Sequence, residues 1–260
     1  MTKLIWMSDP HFQAEGTIDG LDPRVRLDAA LAHANTHYPD AACIVVSGDL
    51  VGDDIEGDYA GLIDRFAASA LPIYPMVGNN DDRAAFLRAF ALPKEAMPGF
   101  AQYRFDLPDV AIICLDTHAP GVHSGAFCDA RLAWLERTLA DTGPCIVFMH
   151  HPPLPLGLPR QDEIMLDDGA RVLDVIAQAG NVRHLCMGHV HRITCGSVRG
   201  VPFTSLNSLA FQAPAPRPDW DWDSFKMAPE APSYAVIDVT EETITVQFIQ
   251  FCEASTGQMG

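Results

Sequence analysis

Six runs of the chain are almost continuously apolar: KLIWMS from Lys3, ACIVVSG from Ala42, PIYPMVG from Pro72, VAIICLD from Val110, CIVFMH from Cys145 and RHLCMGH from Arg183. A strand covered on one face alternates apolar with polar residues, so runs without alternation read as strands covered on both faces. Amphipathic helical patterns lie between several of them, at about 22–37, 57–69, 81–91, 129–141 and 168–179. The alternation makes the chain a layered α/β protein. Past residue 192 the helical patterns stop, and ITCGSV, VPFTSL, SYAVIDV and TITVQFI read as strands of a second, partly antiparallel sheet packed against the first. Between them residues 213–232, with five prolines and two tryptophans, read as a long loop. The 260 residues are expected to form a single domain, 1–260.

What the runs end in matters more. The first closes on Asp9 and His11, the second on Asp49, the third on Asn79, a later one on His150 and His151, and the last on His189 and His191. In an open α/β sheet the carboxyl ends of the strands border one crevice, so these groups are expected to converge there. Two carboxylates, four imidazoles and an amide buried together without a partner would cost several kcal/mol. A metal centre removes that cost, and this mixture of nitrogen and oxygen donors suits Mn, Fe, Co or Zn rather than Ca or Mg. Seven ligands are too many for one ion. An aspartate able to bridge, here Asp49, divides them between two ions roughly 3.5–4 Å apart.

Composition limits the partners. A net charge of −17 and a pI near 4.7 repel duplex nucleic acid and anionic membrane surfaces, while a small anion remains allowed beside a local positive centre. No run approaches the roughly 18 apolar residues of a membrane span, and the start, MTKLIWMSD, holds no signal-like apolar stretch, so a cytoplasmic protein is expected. The seven cysteines form no C-x-x-C pair, and the four inside apolar runs read as small buried hydrophobes of a reducing compartment. Self-association into a homo-oligomer is left open.

The ordered series D-x-H, G-D, G-N-x-D, H and G-H-x-H, over residues 9–191, resembles the calcineurin-like metallophosphoesterase superfamily. SGDLV, GNNDDRAAFL and FMHHPPLPLG look like its bacterial cyclic-nucleotide and glycerophosphodiester phosphodiesterases. The resemblance implies a four-layer αββα sandwich of two mixed β-sheets with a dinuclear site at the strand C-terminal ends. It implies Asp9, His11, Asp49 and His191 on one divalent ion and Asp49, Asn79, His150 and His189 on the other. It also implies hydrolysis of a small phosphodiester by a hydroxide bridging the ions.

One position departs from the pattern. Where the family usually carries a histidine beside the leaving oxygen, this chain has Asn80. An amide can donate a hydrogen bond to a phosphoryl oxygen but delivers no proton near neutral pH. Three readings of Asn80 follow: a natural variant with another acid nearby, for which His151 and His123 are the candidates; an engineered change; or a member whose leaving groups need little protonation. The alternative function it allows is a metal-binding protein that is catalytically impaired or acts as a binding module. Asp81, an acid that orients the family's histidine, is expected either to keep a related role or to cap the helix starting near residue 82. Gly78 is expected to supply a positive φ for the turn before Asn79. Residues 213–232 are expected to be a lid over the substrate or a contact between copies, with Trp220 and Trp222 able to stack on a base.

Overall fold

A computed structural model of the chain describes residues 1–52, 55–217 and 221–253. The first sheet has the order β11-β10-β1-β2-β3, built from Thr2–Met7 (β1), Ile44–Val46 (β2), Ile73–Pro75 (β3), Ser233–Val239 (β10) and Ile244–Gln250 (β11). The second has the order β4-β5-β6-β7-β9-β8, built from Tyr103–Leu107 (β4), Val110–Leu115 (β5), Cys145–Met149 (β6), Val182–Met187 (β7), Thr194–Val198 (β8) and Val201–Ser205 (β9). Strands β1, β2 and β3 run parallel, as do β5, β6, β7 and β9, while β10, β11, β4 and β8 join antiparallel.

The strand period of two explains why the six runs carry no polar break. In β1, Leu4 and Trp6 face the layer between the sheets, while Ile5 and Met7 face the helices. In β5 and β6, Ile112, Cys114, Ile146 and Phe148 face inward, and Ile113, Leu115, Val147 and Met149 face outward. Both faces are therefore apolar, and each buried aliphatic or aromatic side chain contributes about 1.5–3 kcal/mol. The Trp6 and Phe148 rings meet edge to face at 5.7 Å and join the two sheets.

Helices Pro23–His37 (α1), Ile55–Phe66 (α2) and Arg83–Ala89 (α3) contribute to the outer core of the first sheet, and Asp129–Ala140 (α4) and Gly169–Ala179 (α5) to that of the second. The α1 start follows from an Asp22 cap with Pro23 behind it, and α5 stops at Gly180 in the left-handed region. The layers are helix, sheet, sheet, helix, as the resemblance implies.

The late strands behave differently from expectation. They form no sheet of their own: β10 and β11 extend the first sheet beside β1, and β8 and β9 extend the second beside β7. Strand β4 was not visible as an apolar run because its middle residues are only partly covered. All seven cysteines are free, and the four in apolar runs, Cys43, Cys114, Cys145 and Cys186, are buried. Among the described residues no helix is long and apolar enough to cross a membrane.

One buried group makes the fold sensitive to acid. His184 of β7 lies 3.0 Å from the Thr204 hydroxyl, and burial pulls its pKa down from 6.5 to about 4. The unfolded ring takes up a proton near pH 6.5 and the folded ring does not. Its contribution is therefore present above that pH and lost as the pH falls toward 4. Urea unfolding at pH 7 and pH 5 should show wild type losing about 2 kcal/mol more than His184→Gln.

Candidate metal centre

The five strand ends do converge, but from two sheets rather than the one open sheet that sequence reasoning assumed. Strands β1, β2 and β3 deliver Asp9, His11, Asp49 and Asn79, and β6 and β7 of the facing sheet deliver His150, His189 and His191. Two groups result, Asp9 with His11, Asp49 and His191, and His150 with His151 and His189, every member buried.

The backbone is strained at these positions. Asp9, His11, Asp49, His189 and His191 have φ of 51°, 42°, 47°, 71° and 50°. Non-glycine residues in this left-handed region cost about 1–3 kcal/mol each and cluster at functional sites. The chain accepts that cost to turn the side chains inward just past the strand ends.

Asp49 joins the two groups. Its Oδ1 lies 3.2 Å from His150 Nε2 and its Oδ2 lies 3.7 Å from His11 Nε2. The Asn80 backbone N–H donates to its Oδ1 at 2.9 Å. Asp9 approaches His191 Nε2 at 3.3 Å and accepts from the His189 backbone N–H and from the Ser8 hydroxyl. Asn79 directs its Oδ1 to His150 Nε2 at 3.3 Å.

Protonation follows from burial and charge. Burial pulls His11 to about 4 and His189 to about 3, leaving both rings neutral at pH 7. Neutral rings are what metal ligation requires. Burial also opposes ionisation of Asp9 and Asp49, but the adjacent imidazoles outweigh it and hold both carboxyls below the usual range, Asp49 well below. His150 is the exception. Although burial disfavours its charge, Asp49 and Asp9 raise it to about 9, so a proton there competes with any other cation for the same carboxylates. Donor set, burial and protonation together suit two divalent ions.

Several sequence expectations resolve here. His151 is fully buried, its Nδ1 2.8 Å from the Thr117 hydroxyl and its Nε2 3.1 Å from the His123 carbonyl. Both of its nitrogens are thus engaged, which ties it to the loop after β5 and to the His123 segment. His123 is exposed and lines the cleft over the clusters.

Asp81 is not a helix cap; Asp82 caps α3 by accepting from the Ala85 N–H. Asp81 instead accepts from the Gly78 and Leu50 backbone N–H groups and the Tyr59 hydroxyl, with no bond to the Asn80 side chain. It ties the Asn79 loop to the Asp49 loop, and burial with the charge of Asp49 raises its pKa to about 7. Gly78 does not have the expected positive φ; what its position requires is the absence of a side chain. Trp220 lies outside the described residues.

Above the clusters opens a cleft of about 200 Å³, lined by His11, Asp49, Asn79, Asn80, His189 and His191 on its floor and by Gln161, Ile164, Phe211, Trp222 and Phe225 on its wall. Sequence reasoning missed Gln161, Ile164, Phe211 and Phe225, which lie far from the strand ends in sequence. The Pro- and Trp-rich character of 213–232 was the signal for Trp222 and Phe225. Nothing comparable marks Phe211.

A family model described as calcineurin-like phosphoesterase matches residues 2–192, the stretch that delivers every group on the cleft floor. The chain belongs to the calcineurin-like phosphoesterase family. It is 37% identical, over 96% of its length and 92% of the relative's, to a probable cyclic nucleotide phosphodiesterase of Rhodopseudomonas palustris. It is 33% identical to the glycerophosphodiester phosphodiesterase GpdQ of Enterobacter lignolyticus, covering 81% of this chain and 78% of the relative. In fold it is similar to a dimetal phosphatase from Danio rerio, at a TM-score of 0.75 and 14% identity over 97% of both chains. The two sheets bring the His/Asp clusters to one edge of the sandwich.

Proposed function

We propose that this chain is a metal-dependent phosphodiesterase acting on cyclic nucleotides. Asp9, His11, Asp49 and His191 hold one divalent ion, and Asp49, Asn79, His150 and His189 hold the other. When bound, the ions supply Lewis acidity toward the phosphoryl oxygens and an activated water. The chain's own residues do the rest. Asp49 links the two ligand sets, backbone carbonyls of Ser47, Ile164 and Phe211 orient His150, His189 and His191, and Asp81 fixes the loop that carries Asn79 and Asn80.

The observation that carries the nucleotide reading is the aromatic wall of Phe211, Trp222 and Phe225 beside the clusters. The Trp222 and Phe225 rings lie 6.1 Å apart on a segment that, where described, has no helix or strand, and Gln161 offers an amide to a base edge. A glycerol-based head group would gain little from such a wall, whereas a base stacked on an aromatic side chain gains about 1–3 kcal/mol. This part of 213–232 accordingly acts as a lid over the substrate. No observation favours a non-catalytic binding module.

The test is hydrolysis of 3′,5′- and 2′,3′-cyclic nucleotides, glycerophosphodiesters and an aryl phosphodiester by metal-reconstituted protein. Chelation should abolish turnover, and added Mn or Zn should restore it. Trp222→Ala should raise KM for the preferred cyclic nucleotide about 10-fold and leave KM for a glycerophosphodiester, which has no ring to stack, unchanged. Faster turnover of glycerophosphodiesters than of every cyclic nucleotide would overturn the substrate assignment.

A further inference from the structure

Three of the four imidazoles assigned as ligands have their proton placed by a backbone carbonyl. His150 Nδ1 lies 2.8 Å from the Ser47 oxygen, His189 Nε2 3.0 Å from Ile164, and His191 Nδ1 2.9 Å from Phe211. A carbonyl only accepts, so the facing nitrogen carries a hydrogen; the opposite one has its lone pair for an ion in His189 and His191, and in His150 once the second proton facing Asp49 is displaced. His11 has no such carbonyl. Its Nδ1 faces the Asn80 side-chain amide, with Asn80 Nδ2 at 3.1 Å.

The orientation of that amide is set by its neighbour. Asn79 directs Oδ1 toward His150 Nε2, so its Nδ2 donates to Asn80 Oδ1 at 2.8 Å. Asn80 Nδ2 is left to donate to His11 Nδ1. His11 then carries its hydrogen on Nε2, where it donates to His191 Nε2 at 3.0 Å, and His191 Nδ1–H donates to the Phe211 carbonyl. Four hydrogen bonds run in one direction, from Asn79 through Asn80, His11 and His191 to Phe211. Every donor in the series meets an acceptor. The nitrogen of His11 that faces Asp49 and His191 is thereby the protonated one.

We propose that Asn80 is the positioning residue that selects the tautomer of His11, and that ligation of an ion by His11 requires the Asn80 amide to turn. Ligation through Nε2 needs the hydrogen on Nδ1, and Nδ1–H needs an acceptor. The amide offers one only by presenting Oδ1 to His11, which breaks its bond from Asn79. An aspartate at position 80 accepts from both neighbours and has no donor to place against His11. Position 80 thus acts on the imidazole beneath it, whatever it contributes to the leaving group.

The proposal rests on the ligand assignment above, but its first readout does not depend on any ion. Two-bond 1H–15N spectra of the full-length, metal-free protein at neutral pH should show His11 protonated on Nε2 alone and His191 on Nδ1 alone, with His150, whose pKa the neighbouring carboxylates raise to about 9, carrying a hydrogen on both nitrogens. In Asn80→Asp the His11 hydrogen should move to Nδ1 while the other rings keep theirs. Calorimetric titration with Zn2+ should then show one of the two ions bound about 10–100-fold more tightly by Asn80→Asp than by wild type. The added charge alone could strengthen binding, so the tautomer decides. Wild-type His11 already protonated on Nδ1, or an unchanged His11 tautomer in Asn80→Asp, overturns the proposal. Failure of Zn2+ to bind either protein, with the tautomers as expected, overturns the ligand assignment instead.

Discussion

Asp49→Asn should lower kcat for any phosphodiester by at least about 10²–10³, a larger effect than replacement of any cleft-wall residue. Asp49 is the side chain that reaches both ligand groups, His150 on one side and His11 on the other. The substitution keeps its volume and an oxygen to accept from the Asn80 backbone N–H, and removes its charge. What is lost is the anion shared by two cations, so metal analysis should find the variant short of at least one ion per chain. Thermal unfolding in the presence of chelator separates this from a folding defect. With no ions bound, Asp49 and Asp9 together hold the His150 pKa up, so in Asp49→Asn that ring gives up its proton more readily and what charge it keeps still faces Asp9, leaving no isolated buried charge. A variant that keeps both ions and more than a tenth of wild-type turnover would remove Asp49 from the centre of the site.

The residues of this centre were legible because their chemistry is written in side-chain identity at strand ends, and strand ends are marked by where apolar runs stop. Asp9, His11, Asp49, Asn79, His150, His189 and His191 all lie within a few residues of such a stop. The division of strands between sheets was not legible. Strand β10 pairs with β1 in the register Thr2 to Val239 and Trp6 to Ala235, a choice made by long-range packing that no local pattern encodes. Strand β4 escaped notice because an edge strand, covered on few sides, keeps polar residues such as Arg104 and Asp106.

The supporting bonds were hidden for another reason. The acceptors that orient His150, His189 and His191 are main-chain oxygens, and every residue has one. Asp81 was visible as an acid next to Asn80, yet its partners are two backbone N–H groups and Tyr59, twenty-two positions away. Asn80 stood out in the sequence as the absence of a histidine. Only its contacts with Asn79 and His11 show an amide already committed to two neighbours.

Gly78→Ala should cost about 1–3 kcal/mol or more of stability and abolish tight metal binding together. A Cβ at this position would lie 2.1 Å from Asp49 Oδ1, 2.3 Å from Asp49 N and 2.7 Å from His150 Cε1. Neither neighbour can give way cheaply. The nitrogen belongs to the backbone at a residue already held at φ 47°, and the carboxylate is fixed by Asn80 N–H and by His150. Gly188, before His189, is packed in the same manner, since a Cβ there would meet the Ser8 hydroxyl at 2.4 Å and Asp9 Oδ2 at 2.9 Å. Glycine before a ligand is thus required by the approach of one strand end to the side chains of another, and φ is not the reason at Gly78. Gly143→Ala is the matched control: its Cβ would meet nothing within 4 Å, and its φ lies outside the left-handed region. Urea unfolding and Zn2+ titration of the two variants should therefore diverge, with Gly143→Ala behaving as wild type. If Gly78→Ala binds both ions with wild-type affinity, the loops carrying Asp49 and Asn79 can separate without penalty, and the rigid placement of Asp49 between the two ligand groups is wrong.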